Sequence, residues 1–322
     1  MVAGFDISLE RNQYAAGETA KGTLVISADK YFKVQGFKFY VCGLENTDIT
    51  VVKEFVMQTP PIPRTYRESD AFFYEDLSTF ILKAIGNVVK FDNGTTLNVP
   101  QRLWKVPFEF SIPKYAYVSY NGKNVSIIYG VIVRADKAWR KDVNTEMSFT
   151  VFNPNRLPID DKMKDWWGTD IKIEKEEGIN ARLYLEDNKN IFSPRDTITG
   201  KLTVENSSEK RINHAKIILT GMESVSASDN SKTSTIEEYE QKVKFKEGDS
   251  IPFETQIPKE VNRSYRAVHS KYYWEIALKL DISGSRDLHT WTNFLVFLLL
   301  LLLLLLLLLY ESIIYSVIIN LA

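Results

Sequence analysis

The chain repeats itself, and this internal duplication limits its possible folds more than any other feature. Residues 14–26 read YAAGETAKGTLVI and residues 192–204 read FSPRDTITGKLTV, which match at a shift of 178 positions. The same shift places VQGFKFYVCGLE at 34–45 over INHAKIILTGME at 212–223. A two-copy repeat with so long a period indicates a duplicated domain, because the repeats of solenoid proteins run about 20–50 residues.

The later part of each copy also matches, at a shorter shift. VPFEFSIPK at 106–114 corresponds to IPFETQIPK at 251–259 at a shift of 145. That shift also places RKDVNTEMSFTVF at 140–152 over SRDLHTWTNFLVF at 285–297. Because the shift changes between the blocks, the first copy carries 33 additional residues, which must lie within 46–105.

Length, charge and cysteine content narrow the class of protein. The 322 residues suit two domains of about 150 residues each. The formal net charge of −1 argues against a nucleic-acid binder that relies on a broad basic surface. Cys42 is the only cysteine, so no disulfide forms within the chain, which fits a reducing compartment. The first residues lack the features of a secretory signal peptide, so we expect a cytoplasmic location.

The repeated blocks read as β-strands. Phe37, Phe39 and Val41 alternate with Lys38 and Tyr40, as in a strand with one buried face. Many short strands separated by turn-rich segments indicate a β-sandwich in each copy, so the predicted fold class is all-β. The predicted organisation is an N-terminal sandwich at 1–156, a linker at 157–178, a C-terminal sandwich at 179–297 and an apolar, helix-prone tail at 298–322.

One part of the insertion, residues 68–85, fits two kinds of secondary structure. Several of its apolar residues fall near one helical face, with Ser69 or Asp70 as a cap, but its two aromatic-rich runs also suit strands. Helix and strand therefore both stay open. We expect 60–90 to lie at the periphery of the first domain, because the second copy completes its fold without them. The predicted lid or partner-contact residues in this segment are Phe72, Phe73, Phe80 and Ile81.

Two adjacent tryptophans, Trp166 and Trp167, stand in the charged linker. One interpretation is that they fix the linker in the groove between the domains. The other is that they form an exposed anchor for a partner, because tryptophan is enriched at the energetic centres of protein interfaces. Trp166 and Trp167 therefore join the candidate partner-contact residues.

The motifs resemble those of arrestin-fold proteins. Y-x-x-G-E-x-x-x-G-T-L-V-I at 14–26 looks like the opening of that fold, and P-F-x-F-x-I-P at 107–113, followed by Ser119-Tyr120, looks like its second hallmark. The nearest relatives resemble the α-arrestins and the sporulation-control arrestin-like proteins of prokaryotes, and the retromer cargo-adaptor subunit shares the fold. The resemblance covers about 3–152 and 181–297.

This resemblance implies two curved, immunoglobulin-like sandwiches in tandem that bind other proteins through concave faces and loops. In eukaryotes those partners are often the cytoplasmic tails of membrane proteins. The α-arrestin motif Pro-Pro-x-Tyr is absent, since residues 60–63 read Pro-Pro-Ile-Pro, so recruitment of a ubiquitin ligase is not supported. The polar core of the visual arrestins is not identifiable either.

The sequence offers no catalytic or metal-binding pattern. The three histidines, His214, His269 and His289, have no matching site in the other copy. Gly17 and Gly22 have the spacing of a phosphate-binding loop, but the lysine of that loop is missing. We therefore predict no catalytic residues, no cofactor and no metal, and a protein that is not an enzyme.

The apolar tail separates two functional hypotheses. Leu298 to Leu309 is an unbroken run of twelve leucines, which as a helix rises about 18 Å, less than the roughly 30 Å of a bilayer core. Membrane contact through 294–321 as an anchor and an appended low-complexity tail both stay open, but we predict a strand at 294–297. The leading hypothesis is a cytoplasmic scaffold or trafficking adaptor that binds peptides by strand addition or in loop-lined grooves. The alternative is a membrane-tethered structural or stress protein of the sporulation-control type.

Overall fold

The computed structural model describes residues 4–27, 32–34, 36–52, 63–85, 97–99, 103–136, 143–153, 170–176, 178–186, 191–244, 248–284 and 287–296. The chain forms two compact units. The first comprises Met1–Arg156 together with the short segments Val225–Ser231 and Ala267–His269, and the second comprises the remainder.

The first unit contains one helix and eleven strands among its described residues. These are β1 (Gly4–Leu9), β2 (Gln13–Ala15), β3 (Thr19–Ser27), β4 (Phe32–Val34), β5 (Gly36–Val52), β6 (Pro63–Asp76), α1 (Ser78–Ile85), β7 (Leu97–Val99), β8 (Leu103–Ser111), β9 (Tyr120–Asn121), β10 (Val125–Asp136) and β11 (Val143–Phe152). One sheet has the order β1-β3-β8, and a larger one has the order β2-β11-β10-β5-β6 with β9 on β10. β4 pairs with β7 alone. Phe39 of the larger sheet packs edge-on against Phe108 of the smaller one at 4.9 Å, within a buried core.

The second unit follows the same plan. Its strands are β12 (Asp170–Glu176), β13 (Ile179–Leu185), β14 (Ile191–Phe192), β15 (Thr197–Asn206), β16 (Ile212–Ala227), β17 (Asn230–Val243), β18 (Ser250–Gln256), β19 (Tyr265–Arg266), β20 (Ser270–Ile282) and β21 (Leu288–Val296). One sheet has the order β12-β13-β15-β18, and the other has the order β14-β21-β20-β16-β17 with β19 on β20. The larger sheets have the same strand order in the two units, and the smaller sheet of the second unit has one additional strand, β12. The predicted all-β class with two sandwich-like halves is therefore confirmed.

Equivalent turns in the two copies use equivalent hydrogen bonds. The backbone N–H of Ala15 donates to the Glu18 carboxylate at 2.8 Å, and that of Ser193 donates to the Asp196 carboxylate at 2.9 Å. These two pairs are related by the shift of 178 positions. The turn before each long strand is therefore closed by an acidic side chain that accepts a backbone N–H three residues earlier.

Two equivalent glycines allow close approach of neighbouring strands. A Cβ on Gly22 would lie 2.5 Å from the carbonyl oxygen of Ser8, and a Cβ on Gly200 would lie 2.2 Å from that of Tyr184. Carbon and oxygen atoms cannot approach so closely, so only glycine fits at these positions without displacing the adjacent strand.

The insertion in the first copy is divided between two places. β6 pairs with β5 from Val52 opposite Pro63 to Tyr40 opposite Asp76, and the second unit has its own strand, β17, in the same edge position. The additional residues therefore lie in the β5–β6 connection and between β6 and β8. The prediction that 60–90 form a peripheral addition is wrong for β6, because an edge strand belongs to the sheet itself.

Residues 68–85 are part strand and part helix. β6 continues to Asp76, and α1 begins at Ser78, whose backbone N–H donates to the Asp76 carboxylate at 2.8 Å. Asp76 therefore caps the helix, as acidic residues commonly do at a helix N-terminus. The predicted caps Ser69 and Asp70 lie inside β6 instead, because this stretch pairs with β5.

Two further expectations concern the ends of the second unit. β12 falls inside the range predicted as a linker, so the first strand of this unit begins earlier than expected. Ile171 and Ile173 alternate with charged residues there, a strand pattern that the linker interpretation overlooked. β21 includes residues 294–296, as predicted, whereas Phe297 and the tail at 298–322 lie outside the described residues. Over the residues that the structure does describe, none of the helices has the length and apolarity needed to cross a membrane.

Candidate protein-binding surface

The most accessible backbone for a protein partner is the edge formed by β6. Over the described part of the chain, this fourteen-residue strand pairs with β5 on one side only. Its other side therefore presents backbone N–H and C=O groups. Such an edge can accept an extended peptide as an added strand, unless charges, bulges or covering segments block it.

Phe72 forms a β-bulge in β6, and the packing of its ring holds this strand to the sheet. Gly43 pairs with Phe73 and Leu44 with Ala71, which leaves Phe72 as the additional residue. The Phe72 ring lies in the space left free by Gly43, where a Cβ would be 2.6 Å from it. It also packs edge-on against Tyr129 at 5.4 Å. Phe72 is consequently half-buried and holds the edge strand in register.

Beyond the bulge, an aromatic pair lies on the outer face of the sheet. Tyr74 is 55% exposed and packs against Tyr40 with ring centroids 5.3 Å apart. Its register partner Cys42 is buried, and burial, followed by the charge of Glu146, raises the pKa of that thiol. A raised pKa keeps the thiol neutral and poorly nucleophilic, so this surface suits binding rather than covalent chemistry.

Some apolar residues of helix α1 lie in the core and one faces solvent. Ile81, Leu82 and Ile85 are buried against the unit, whereas Phe80 is 52% exposed. Phe80 and Tyr74 are thus two large apolar side chains, close together in the chain, that remain accessible to a partner.

A buried carboxylate lies near the middle of the pairing between β5 and β6. Glu45 of β5 is fully buried, and its carboxylate accepts hydrogen bonds from the backbone N–H groups of Val268 at 2.9 Å and His269 at 3.1 Å. Both donors belong to a short segment that clusters with the first unit. Hydrogen bonds to a charged acceptor are strong, and a buried carboxylate without them would be costly. Glu45 therefore fixes this segment in place.

Two further acidic residues on β6 extend the same arrangement. The Glu68 carboxylate accepts the backbone N–H of Ser228 at 2.8 Å, and its other oxygen lies 3.6 Å from His269 Nδ1. His269 Nε2 contacts the carboxylate of Asp70. Ser228 adopts a left-handed backbone conformation with φ of 47°, as residues at the tip of a tight hairpin do. The centre of β6 is therefore held by polar contacts.

A shallow groove runs beside this region. It has a volume of about 460 Å³ and is lined by residues of β5, β6 and the turn before β10, among them Asn46, Asp48, Arg67, Ser69 and Lys123. Arg67 and Asp48 form an exposed ion pair at 2.7 Å within it. The lining is polar and open, which suits a peptide backbone better than a compact apolar ligand.

The histidines do not converge on a reactive centre. His214 lies 3.1 Å from Asp281, His269 contacts the carboxylates of β6, and His289 is exposed. Within the described ranges, no three His, Cys, Asp or Glu side chains are placed to hold a metal ion.

The predicted contact residues differ in how far they are exposed to solvent. Phe72 and Phe73 are half-buried and Phe80 is exposed, so a contact role for these three stays a prediction. Ile81 belongs to the core, because α1 turns its side chain into the unit and leaves none of it accessible. Trp166 and Trp167 lie outside the described residues.

Two residues of this surface were overlooked at the sequence level. Tyr74 follows Phe72 and Phe73 in one aromatic run, and only the register shows that it faces outward. Glu45 had a usable signal, because it stands at a buried-face position of an alternating strand and matches Glu223 in the second copy. Both glutamates are fully buried. A carboxylate at the same core position of two copies indicates a defined polar partner.

The comparison with protein families agrees with this architecture. The family model for vacuolar protein sorting-associated protein 26, Vps26, matches residues 8–282, which is well over half of the chain. No curated protein matches the chain. This match supports the arrestin-like fold and the retromer subunit that shares it, but not the α-arrestins specifically. The chain therefore belongs to the Vps26 family, whose members are arrestin-like scaffolds of protein sorting rather than enzymes.

Proposed function

We propose that this protein is a trafficking adaptor that binds extended peptide segments, including cytoplasmic tails of membrane proteins, along the edge of β6. The observation that carries the proposal is the fourteen-residue edge strand with one open side among the described residues. Family membership supports a scaffold in protein sorting. The proposed place of action is the cytoplasmic surface of membranes, because such tails are found there.

The chemistry of this edge suits recognition of a strand. Backbone hydrogen bonds to an added strand give affinity that is largely independent of sequence, and side-chain pockets at alternate positions give selectivity. Tyr74, packed on Tyr40, and Phe80 offer apolar surface for such side chains. The packing of Phe72 at the bulge and the polar contacts of Glu68 hold the strand in place, so little order has to be gained when a peptide binds.

The test begins with capture of partners by the full-length protein from a cell extract, followed by mass spectrometry. Captured membrane proteins are then represented by synthetic peptides from their cytoplasmic tails, and affinities are measured by fluorescence anisotropy. We expect Tyr74→Ala and Phe80→Ala each to weaken peptide binding about five- to tenfold, because truncation of an exposed aromatic anchor typically costs about 1 kcal/mol or more.

Tyr115→Ala is the matched control, since Tyr115 is an exposed tyrosine of the first unit that lies outside β6 and α1. It should leave peptide affinity unchanged. The proposal fails if tail peptides bind the Tyr74 and Phe80 variants as tightly as the unmodified protein. It also fails if hydrogen exchange shows no new protection along β6 when a peptide is bound.

A further inference from the structure

The outer face of β20 and β21 in the second unit carries an unusual group of side chains. Glu275 pairs with Asn293 and Ala277 pairs with Trp291 in this antiparallel register. The alternating positions, such as Ile276, are fully buried in the core. The four paired residues therefore lie together on the opposite face, because successive side chains of a strand point to opposite sides.

The first copy shows that the fold does not require these residues. At the shift of 145 positions, Gly130 stands where Glu275 is, Ser148 where Asn293 is, and Glu146 where Trp291 is. The paired strands β10 and β11 form the same arrangement with those residues. The combination of tryptophan, glutamate and asparagine is thus specific to the second unit.

Trp291 is the large aromatic side chain of this face. It is 53% exposed, and its register neighbour is the small Ala277. An exposed tryptophan offers both apolar area and a ring face that attracts cations. The same face already contains one such contact, since Lys271 Nζ lies 5.3 Å from the ring centre of Tyr273.

Asn293 has a buried side-chain oxygen that receives no hydrogen bond from the described residues. Its side chain is only 9% exposed, and among the described residues its Oδ1 has no hydrogen-bond partner. Buried polar atoms are nearly always hydrogen-bonded, because an unsatisfied one costs free energy. Because this atom is closed to solvent, a donor from a partner does not reach it, and Asn293 is the buried polar neighbour of Glu275 rather than a contact residue.

Glu275 supplies negative charge at the same place. It lies directly opposite Asn293, and burial raises the pKa of its carboxyl to about 7. The structure thus holds a half-buried carboxylate in an environment that disfavours its charge. A bound cation would relieve that cost, because an opposite charge nearby favours the ionised form.

We propose that the outer face of β20–β21 binds an arginine side chain from a partner protein. The guanidinium stacks on the Trp291 indole and donates to the Glu275 carboxylate. Arginine fits better than lysine, because a planar guanidinium stacks on an aromatic ring while its several N–H groups donate in that plane. An apolar side chain or a lipid tail fits poorly, since it would leave the Glu275 carboxylate without a partner. The site lies in the second unit and does not depend on peptide binding at β6.

The test uses the full-length protein labelled with 5-fluorotryptophan and a capped pentapeptide with arginine at its centre, flanked by valine and threonine. The Trp291 fluorine resonance is assigned with Trp291→Phe. We expect the peptide to shift this resonance more than those of the other five tryptophans. The same peptide with citrulline, which keeps the shape and removes the charge, should bind at least tenfold more weakly by fluorescence anisotropy.

Variants separate the contributions of the side chains. Glu275→Gln and Trp291→Ala should each weaken binding of the arginine peptide about five- to tenfold. Glu254→Gln, an exposed glutamate of β18 in the other sheet, is the control and should bind normally. Equal binding of the arginine and citrulline peptides, or no effect of Glu275→Gln, would falsify the proposal. Tighter binding of a norleucine-centred peptide would indicate an apolar partner instead. A Trp291 shift caused by phosphatidylcholine vesicles alone would indicate a lipid surface.

Discussion

Two glutamates illustrate how this protein treats a carboxylate that is removed from water. Glu45 is fully buried and accepts backbone N–H groups from Val268 and His269. Glu275 is half-buried on the outer face of β20, and its burial alone raises its pKa. The Glu45 carboxylate has its hydrogen-bond partners within the protein. The Glu275 carboxylate lies where its charged form is unfavourable, a kind of electrostatic cost that functional sites often retain.

Replacement of Glu275 should therefore stabilise the protein in alkaline solution. The folded-state pKa of about 7 lies above the ordinary glutamate value of 4.5, so the folded state prefers the protonated form and stability falls as pH rises from 4.5 through 7. Because the side chain keeps part of its solvent, we expect Glu275→Gln to gain only about 1–2 kcal/mol at pH 8. At pH 4 the variant and the unmodified protein should unfold alike. Urea denaturation at both pH values is the measurement, and equal stability at pH 8 would contradict it.

Glycines at equivalent positions set the distance between neighbouring strands in the two copies. Each small sheet depends on a glycine that permits close strand approach, Gly22 in β3 and Gly200 in β15. In the larger sheet of the first copy, the edge strand β6 carries a bulge at Phe72. The glycines that set the distance between neighbouring strands are thus shared by the two copies.

Substitution of either glycine should have similar consequences. The Cβ of alanine at Gly22 or Gly200 would meet a backbone carbonyl oxygen at 2.5 or 2.2 Å, and backbone cannot move aside as a side-chain end can. We expect each Gly→Ala variant to lose about 1–3 kcal/mol in the free energy of unfolding, the usual cost of overpacking. Gly4→Ala is the control, because its Cβ would meet only the rotatable hydroxyl of Ser27 at 3.1 Å, and its loss should stay below about 1 kcal/mol. A smaller loss at Gly200 than at Gly4 would contradict the explanation.

The whole molecule is a duplication in which each copy has been adapted separately. Its last described strand, β21, pairs with β20 and β14 and completes the larger sheet of the second unit. Ser264 closes the end of that strand through two hydrogen bonds with the backbone of Val296, at 2.9 and 3.0 Å. The described part of the second unit therefore ends in a strand whose end is fixed at Val296.

A chain ending at residue 297 should consequently fold and remain in solution without detergent. The test is expression of 1–297, with size-exclusion chromatography and a thermal unfolding curve as readouts. A chain ending at residue 287 is the comparison, and it should fail to fold because it lacks the buried residues Phe294, Leu295 and Val296. If 1–297 stays aggregated unless detergent is present, the second unit depends on the tail and the prediction is wrong.

The features of this fold that could be predicted from the sequence are those whose sequence pattern is local or repeated. The all-β class, the duplication and the strand at 294–296 follow from alternation, turn residues and matching blocks, which act within a few residues or recur at fixed shifts. The overlap of strand and helix signals in 68–85 was also real. The boundary between β6 and α1 depends on pairing with β5, and no local pattern contains that information.

The surfaces that could bind partners were decided by tertiary structure alone. The sequence shows that Tyr74 and Trp291 are aromatic, but only strand register turns them outward while Ile81 turns inward. Likewise, the sequence contains Glu275 and Asn293 eighteen positions apart, and only the pairing of β20 with β21 sets them opposite each other. Local composition fixes which elements form. Register depends on long-range hydrogen bonds and on which face is buried, so it fixes which side chains a partner can reach.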